Sequence, residues 1–186
     1  MYISKELRKK NIAEYLLYMW QVEDLLRANE FSLENINKSL VEPYNLSAEQ
    51  SAELLQWYEN LIDMMRTEEV MQSGHMQINK NVIIMLTDLH LRLLKSAKTP
   101  FYSAAYYKAL PYIVEFRTKS NGREKGEIEN CFDALYMVWL MKLQKREIGE
   151  ETLKATNEIS KFISMLSLYY KEDEEGKLDL EGKEVQ

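Results

Sequence analysis

Apolar residues that recur at helical spacing constrain this chain more than any other feature of its sequence. Six segments place hydrophobic side chains three to four positions apart, and the strict alternation of a β-strand is almost absent. Only Tyr112 to Phe116 resembles a strand, and the sequence offers it no convincing partner. We therefore predict an all-α fold, a single-domain helical bundle of about six to seven helices.

Caps, prolines and turns set the boundaries of these predicted helices. Ser32 and Thr99 are typical of helix starts, and Ser47 with Gln50 matches a capping box. Pro111 falls inside the fifth predicted helix and should kink or break it near residues 108–110, because proline lacks the N–H that the helix needs. The predicted helices run from about Ser4 to Asn29, from Ser32 to just before Pro43, from Ser47 towards Gly74, from Asn79 to Ala97, from Pro100 to the turn at Lys119, from Glu127 to Arg146 and from Glu150 to Tyr170.

The last helix has the cleanest amphipathic pattern, whereas the residues after it have none. One narrow arc of the helix collects Ala155, Ile159, Phe162, Ile163, Leu166 and Tyr170. Residues 171–186 contain seven acids and three lysines, which account for −4 of the net charge of −6. We therefore expect a helical bundle domain at 1–170, followed by an acidic, disordered tail at 171–186 that contributes little to stability.

Charge and hydropathy argue against nucleic-acid and membrane functions. Without the tail the chain carries only −2, and it lacks the basic surface that nucleic-acid binding requires. The sequence has no uncharged apolar stretch of about 18 residues and no apolar segment typical of a signal peptide at its start. We expect a cytoplasmic protein that binds neither membrane nor nucleic acid.

Signatures of cofactor and metal sites are missing. The six glycines form neither G-x-G-x-x-G nor G-x-x-x-x-G-K-[ST]. Neither His75 nor His90 follows a glutamate at the Glu-x-x-His spacing of di-iron bundles. The single cysteine, Cys131, permits no intramolecular disulfide and no zinc site of the four-ligand kind. We therefore expect no cofactor, no metal site and no recognisable catalytic residue.

Glu23 interrupts the apolar stripe of the first predicted helix. Its helical neighbours on that face include Leu16 and Met19, so the carboxylate should be buried. A buried carboxylate costs several kcal/mol unless it is paired, hydrogen-bonded or protonated. Arg27 lies four residues later, where it can pair with Glu23, and a tyrosine hydroxyl or His90 from another helix is an alternative partner. We favour a structural contact, with a ligand-binding or catalytic role as the alternative.

His90 and Cys131 are the other candidates for chemistry. His90 lies at the edge of an apolar face beside Leu86 and Leu94, where it is either a poised base or a neutral imidazole bonded to a nearby carbonyl. Cys131 borders the apolar face of the sixth predicted helix. We favour the neutral imidazole for His90 and a small apolar role for Cys131.

Tyrosines are concentrated in the fifth predicted helix and point in two directions. One side collects Tyr102, Tyr106, Ala109 and Ile113. Tyr107 and Tyr112 point elsewhere. Since tyrosine combines a flat apolar ring with a polar tip, it suits interfaces and ligand clefts. We favour exposed surface aromatics at Tyr107 and Tyr112, with a protein interface as the alternative.

Three segments carry a resemblance to known proteins. LRKKNIAEY, YLLYMWQVEDLLR and KGEIENCFDALYMVWLMKLQKREI resemble an uncharacterised family of all-helical bacterial proteins of about this length, a domain of unknown function. The resemblance extends over nearly the whole chain. It implies a helical fold and a bacterial, cytoplasmic origin, and it transfers no active site.

Two functional hypotheses follow from these observations. The missing catalytic signatures and the surplus aromatics favour a non-enzymatic protein that binds a protein partner or associates with itself. The alternative is a small-molecule binder or enzyme with a pocket between predicted helices one, four and five, formed if Glu23, His90 and the tyrosines meet in space.

Overall fold

The computed structural model of the protein describes residues 2–120 and 122–180, with the backbone alone at Tyr2 and Arg123. Helices account for 80% of these residues, and none of them lies in a strand. The all-α prediction is therefore confirmed, and Tyr112 to Phe116 is helical. The described residues contain eight α-helices rather than six to seven: α1 Tyr2–Lys10, α2 Ile12–Ala28, α3 Leu33–Ile36, α4 Ala48–Thr67, α5 Gln77–Lys95, α6 Pro100–Lys119, α7 Glu127–Leu143 and α8 Glu150–Glu174.

The extra helix arises because the first predicted helix is divided at Asn11. The Asn11 side chain accepts a hydrogen bond from the backbone N–H of Ala13 at 3.1 Å, which caps the start of α2. The second predicted helix is also composite. Its single α-turn, α3, continues as a π-helical turn at Asn37–Val41 and a 3₁₀ turn at Glu42–Tyr44, so helical structure runs through Pro43 instead of stopping before it.

The capping box at the start of α4 is confirmed, with both reciprocal hydrogen bonds between Ser47 and Gln50. The expected break near Lys108 to Leu110 is wrong, because α6 is continuous through Pro111. Ala109 and Ile113 on either side of the proline are buried, and this packing offsets the missing backbone hydrogen bond. The expected kink stays a prediction.

Among the helices of residues 2–120 and 122–180, four end in a Schellman motif, in which a residue in the left-handed region closes two backbone hydrogen bonds. Glycine supplies that residue after α8, at Gly176 with φ 66°. Non-glycine residues supply it after α2, α4 and α7, at Glu30, Glu69 and Lys145. Because these residues are not glycines, their sequence does not mark the helix ends, and two predicted ends lie too late. α4 ends at Thr67, well before Gly74, and α7 ends at Leu143 rather than Arg146.

The chain divides into two compact units, Met1–Lys9 with Glu14–Val82, and Lys10–Ala13 with Ile83–Gln186. In the first unit, α4 packs against α3 and the π-helical turn. The inner face of α4 contains Tyr58, Leu61, Ile62 and Met65, all of them buried. In the second unit, α6, α7 and α8 pack against one another. The predicted inner faces of α6 and α8 are buried, through Tyr102, Tyr106, Ala109 and Ile113 on α6 and through Ile159, Phe162, Ile163, Leu166 and Tyr170 on α8, with Ala155 half-buried. The inner face expected for α7 is confirmed only in part: Ile128 and Phe132 are buried, Leu135 and Trp139 are half-buried, and Leu143 is exposed.

The last helix extends beyond the predicted boundary at Tyr170. α8 continues to Glu174, and the Asp173 carboxylate accepts two hydrogen bonds from Arg92 of α5, at 2.7 and 2.9 Å. Ser96 donates to the carbonyl of Leu180 at 3.2 Å. Residues 171–180 therefore contact the second unit, whereas the part of the predicted tail at 181–186 lies outside the described residues.

Candidate functional site

Glu23 of α2 is fully buried and forms hydrogen bonds with three groups. Its Oε1 accepts from the backbone N–H of Met76 at 2.8 Å and from Nδ2 of Asn79 at 2.7 Å. Its Oε2 lies 2.6 Å from Nδ1 of His75. A buried carboxylate must be hydrogen-bonded or paired, and Glu23 is, because each of its partners replaces a contact with water that burial removes.

The partners of Glu23 lie around the start of α5, which begins at Gln77. The first N–H groups of a helix have no partner within the helix and carry a partial positive charge, so a carboxylate placed there stabilises it. Glu23 thus acts as an N-terminal cap supplied from another helix. The structural contact predicted for Glu23 is of this kind, but its partners are His75, Met76 and Asn79 rather than Arg27, a tyrosine or His90.

Arg27 does not pair with Glu23, so that expectation is wrong. Its Nη1 donates to Asp24 at 2.9 Å, and its Nη2 donates to the backbone carbonyls of Val70, at 3.0 Å, and Gly74. Glu23 points into the interior towards residues 75–79, whereas Arg27, one helical turn later, reaches the preceding part of the same loop. The two side chains together hold the α4–α5 connection, residues 68–76, against α2.

His75 is the residue of this cluster that sequence reasoning missed. Its ring stacks on Trp20, with centroids 4.1 Å apart and an interplanar angle of 10°, and the side chain is partly exposed. With Nδ1 occupied by Glu23, no hydrogen bond from a described residue reaches Nε2. An imidazole oriented by a carboxylate can serve as a base. No local pattern indicates this role of His75, because its partner Glu23 lies 52 positions away in the sequence.

His90 of α5 belongs to the second unit and has a separate set of partners. It is buried, its Nδ1 lies 2.7 Å from the hydroxyl of Tyr102, and the rings of Tyr106 and Phe162 meet it edge-on. Burial lowers the pKa of His90, and the nearby charge of Glu127 opposes that shift. The predicted neutral imidazole fits this setting, but its partner is a hydroxyl rather than a carbonyl.

The groups around His90 are also held in their neutral forms. Tyr106 donates a hydrogen bond from its hydroxyl to Glu127 at 2.7 Å. Burial raises the pKa of Tyr102 and of the fully buried Cys131 thiol, the latter with a contribution from Glu127. A thiol in this state is a poor nucleophile at neutral pH, which supports the apolar role predicted for Cys131.

The two remaining tyrosine candidates lie on different sides of α6. Tyr107 is 64% exposed and contacts the ring of Tyr106. Tyr112 is half-buried and lines a groove of about 490 Å³ whose apolar floor includes Phe116, Met137 and Val138. The candidates make separate sets of contacts: Glu23 and Arg27 hold one loop of the first unit, whereas in the second unit His90 and Tyr106 share an aromatic cluster, Tyr107 is exposed and Tyr112 lines the groove.

Neither a metal cluster nor a membrane-spanning helix is found in the part of the chain that the structure describes. Over residues 2–120 and 122–180, no three metal-ligating side chains gather closely enough to hold an ion. No helix within those residues combines the length and the apolar character that crossing a bilayer requires.

Comparison with known proteins identifies the family of the chain. The model of a family described as "Domain of unknown function (DUF4924)" matches residues 1–177. No curated protein and no solved structure is significantly similar to the chain. The match covers nearly the whole chain, as the resemblance of its three segments predicts.

Proposed function

The chain belongs to the DUF4924 family, a domain of unknown function, and we propose that it is a non-enzymatic bacterial protein of the cytoplasm that acts by self-association. The observation that carries this proposal is an exposed apolar face on α6. We call it the outer stripe, and it consists of Phe101, Ala104, Tyr107, Pro111 and Val114, all exposed.

The spacing of the outer stripe is that of a helix–helix seam. Its members follow one another at intervals of three, three, four and three residues, the pattern by which two helices pack along their length. Phe101 is 80% exposed and Tyr107 is 64% exposed. Large apolar groups that adjoin one another on a surface mark interaction sites more often than scattered ones do.

Packing within the chain does not cover the outer stripe of α6. The opposite side of α6 is already buried through Tyr102, Tyr106, Ala109 and Ile113. α6 is therefore apolar on two sides, only one of which packs within the chain. A helix that is apolar on more than one side is expected to be covered on each of them, and the outer stripe is the side that remains open.

The charges beside the outer stripe favour a second copy of the chain as the partner. Lys108 and Glu115 flank the stripe on one side, three residues before and four residues after Pro111. A two-fold axis that pairs two α6 helices antiparallel at Pro111 brings Lys108 of one copy level with Glu115 of the other, twice. Within one copy, Lys108 contacts Glu158 and Glu115 contacts Lys119, and the side chains of Lys108 and Glu115 are 66% and 54% exposed, so both remain accessible to a neighbouring copy.

The polar groups of the second unit support a non-enzymatic role. His90 is bonded to Tyr102, and Cys131 is a buried thiol. An acid–base or nucleophilic site needs groups that can change protonation state near neutral pH, whereas burial holds these two in their neutral forms. The alternative of a pocket between predicted helices one, four and five stays a prediction.

Sedimentation equilibrium tests the proposal across a protein concentration of about 1 to 100 µM, which spans the affinities usual for specific dimers. We expect the wild-type chain to dimerise and Tyr107→Glu to be monomeric. Leu143→Glu is the matched control, because Leu143 is 66% exposed but lies at the end of α7; it should still dimerise. A wild-type chain that stays monomeric over this range contradicts the proposal.

Charge reversal tests the antiparallel arrangement itself. Lys108→Glu should weaken the dimer because it sets two acids against each other across the axis, and adding Glu115→Lys to the same chain should restore it. A double variant that is no stronger than the single one would show that these residues do not meet between copies.

A further inference from the structure

The groove of about 490 Å³ that Tyr112 lines has an apolar floor that the chain itself leaves uncovered. It lies between the second half of α6, the middle of α7 and the first turns of α8, and we call it the α6–α8 groove. Phe116, Met137 and Val138 form its floor, and Met137 is 42% exposed. Concave apolar surface of this kind is typical of a site that another molecule fills.

The charges at the rim of the α6–α8 groove balance one another. Glu115 and Glu151 line it together with Lys119 and Lys154, and Lys119 contacts Glu115 within the rim. A rim with equal numbers of both signs selects neither an anion nor a cation. The apolar floor therefore favours an uncharged apolar group as the occupant.

Phe101 at the start of α6 is an uncharged apolar group without cover. It is 80% exposed, the largest exposed fraction among the large hydrophobic side chains of the described residues. Phe101 cannot enter the groove of its own copy, because Lys119 at the groove lies 18 residues further along α6, about 27 Å at 1.5 Å per residue. A second copy of the chain can bring such a ring to the groove.

The antiparallel arrangement proposed above places Phe101 of one copy level with the groove of the other. Phe101 lies ten residues before Pro111, about 15 Å along the helix, and Lys119 lies eight residues after it, about 12 Å. A two-fold axis at Pro111 reverses the direction of the second helix. Phe101 of one copy and Lys119 of the other then differ by only about 3 Å in their level along the pair.

Phe101 and the groove also lie on the same side of the helix pair. At about 100° per residue, Phe101 and Lys119 are both turned by about 80° from Pro111 in the same sense, and Tyr112 by about 100°. A two-fold axis perpendicular to both helices keeps such residues on one side of the pair. Since packed helices lie about 8 to 10 Å apart, the Phe101 ring can reach between α6 and α8 of the other copy.

The charges next to the outer stripe favour this register. Lys108 and Lys161 both contact Glu158 at 3.0 Å, and two lysines with one glutamate leave a positive charge in excess. Lys108 lies between Phe101 and Pro111 on the same side of α6, so it comes level with Glu115 at the rim of the other copy's groove. Attraction between these opposite charges aligns the pair with Phe101 at the groove.

We propose that Phe101 of each copy inserts into the α6–α8 groove of the other copy. This inference rests on the proposed self-association and adds to it the occupant of the groove. Each groove is complete only in the dimer, because the ring that covers Met137 comes from the second copy.

Cross-linking between copies tests the register without changing Phe101. Full-length Pro100→Cys and Lys119→Cys proteins are mixed and treated with a short bismaleimide, and the native Cys131 is buried and should not react. We expect a cross-linked dimer from the mixture and little from either variant alone, because the two copies of residue 100 lie about 33 Å apart along the pair and those of residue 119 about 24 Å. Leu168→Cys, 58% exposed on α8, is the matched control for Lys119→Cys and should not cross-link to Pro100→Cys. Equal cross-linking of the control, or none from the first mixture, would overturn the arrangement.

A double-mutant cycle tests the insertion of the ring. In sedimentation equilibrium, Phe101→Ala should raise the dimer Kd about tenfold or more, as loss of a buried aromatic anchor does. Met137→Ala should raise it less, and the double variant should be weakened by less than the product of the two single effects, because each residue acts through the other. Leu168→Ala, an equally conservative truncation of an exposed residue, should leave the Kd unchanged.

The outcomes separate this inference from the proposed function. A wild-type chain that stays monomeric contradicts both. If Tyr107→Glu dissociates the dimer but Phe101→Ala leaves its Kd unchanged, self-association is retained and the insertion of Phe101 is overturned. The same holds if the effects of Phe101→Ala and Met137→Ala simply multiply.

Discussion

Nδ1 of His75 lies 2.6 Å from Oε2 of Glu23, although 52 positions separate the two residues in the sequence. The contact joins α2 to His75, which lies two residues before the start of α5 at Gln77. It is reinforced by the stacking of the His75 ring on Trp20. Because Glu23 is completely buried, the free energy of this contact depends on all of its partners together.

Substitutions of Glu23 should therefore follow a definite order. Glu23→Ala leaves His75, Met76 and Asn79 without their acceptor and creates a cavity, so we expect a loss of about 3 to 5 kcal/mol in the free energy of unfolding. Glu23→Gln keeps the shape and one acceptor oxygen and should cost about 1 to 3 kcal/mol. Urea denaturation gives both values. An alanine variant as stable as wild type would mean that the buried carboxylate is retained for a function other than stability.

Arg27→Met should cost less than Glu23→Ala. Its guanidinium bonds to the carbonyls of Val70 and Gly74, and the side chain is partly exposed, so water can replace part of what is lost. We expect about 1 to 2 kcal/mol. Hydrogen exchange of residues 68–76 provides the readout: faster exchange in this variant, with little change in the second unit, would confirm that Arg27 holds the loop.

The burial of His90 should make the free energy of unfolding depend on pH. Burial lowers its pKa in the folded state below the ordinary value of 6.5, so at mildly acidic pH the unfolded chain binds a proton that the folded chain does not. The contribution of His90 is therefore complete above pH 6.5 and is lost as the pH falls from there towards its folded pKa. His90→Gln, which can still bond to Tyr102, should flatten the decline of unfolding free energy between about pH 7 and 5. If the unfolding free energy of wild type and of His90→Gln fell equally steeply with pH, His90 would not be the cause of the decline.

Lys145→Gly should stabilise the protein. Lys145 follows α7 with φ 54°, a left-handed conformation that costs an L-residue roughly 1 kcal/mol and glycine almost nothing. We expect a gain of about 0.5 to 1 kcal/mol, visible as a rise of about 1 to 4 °C in Tm. Lys142→Gly is the control: it lies in the last turn of α7 and should lose up to about 1 kcal/mol through the low helix propensity of glycine.

Removal of the residues after Tyr170 should lower stability, contrary to the expectation from composition. It deletes Asp173, the partner of Arg92, and the Schellman motif at Gly176. Since Arg92 and Asp173 are both partly exposed, the pair contributes less than about 1 kcal/mol, and we expect a total loss of about 1 to 2 kcal/mol by thermal melting. Arg92→Gln should weaken the full-length chain but leave the shortened chain unchanged. An unaltered Tm after truncation would restore the prediction from composition.

Local patterns in the sequence predicted local structure well. The capping box at Ser47, the inner faces of α6 and α8 and the division of tyrosines between the two sides of α6 each depend on residues within a few positions of one another. The helix ends were less predictable, because Glu30, Glu69 and Lys145 occupy positions where glycine is the usual signal. The break at Asn11 was missed for a similar reason, since asparagine within an apolar stripe gives little indication that it caps a new helix.

The sites could not be predicted because they join distant positions. Glu23 was recognised as buried from its neighbours in the helix, but its partners lie more than 50 positions away, and Arg27 was the wrong choice because proximity in sequence does not fix the direction of a side chain. Tyr18, Tyr44 and Tyr58 line one cleft of the first unit, but they come from three different elements and no local pattern connects them.

The capping of α5 by Glu23 also bears on how the chain folds as it is synthesised. α2 leaves the ribosome with a carboxylate on its apolar side, and the last partner of that carboxylate, Asn79, follows 56 residues later. At translation rates of about 5 to 20 residues per second, this delay is roughly 3 to 11 s. During that interval α2 cannot bury Glu23 against all of its hydrogen-bond partners, because they have not yet been synthesised. We therefore expect the first unit to complete its folding only after the start of α5 has emerged.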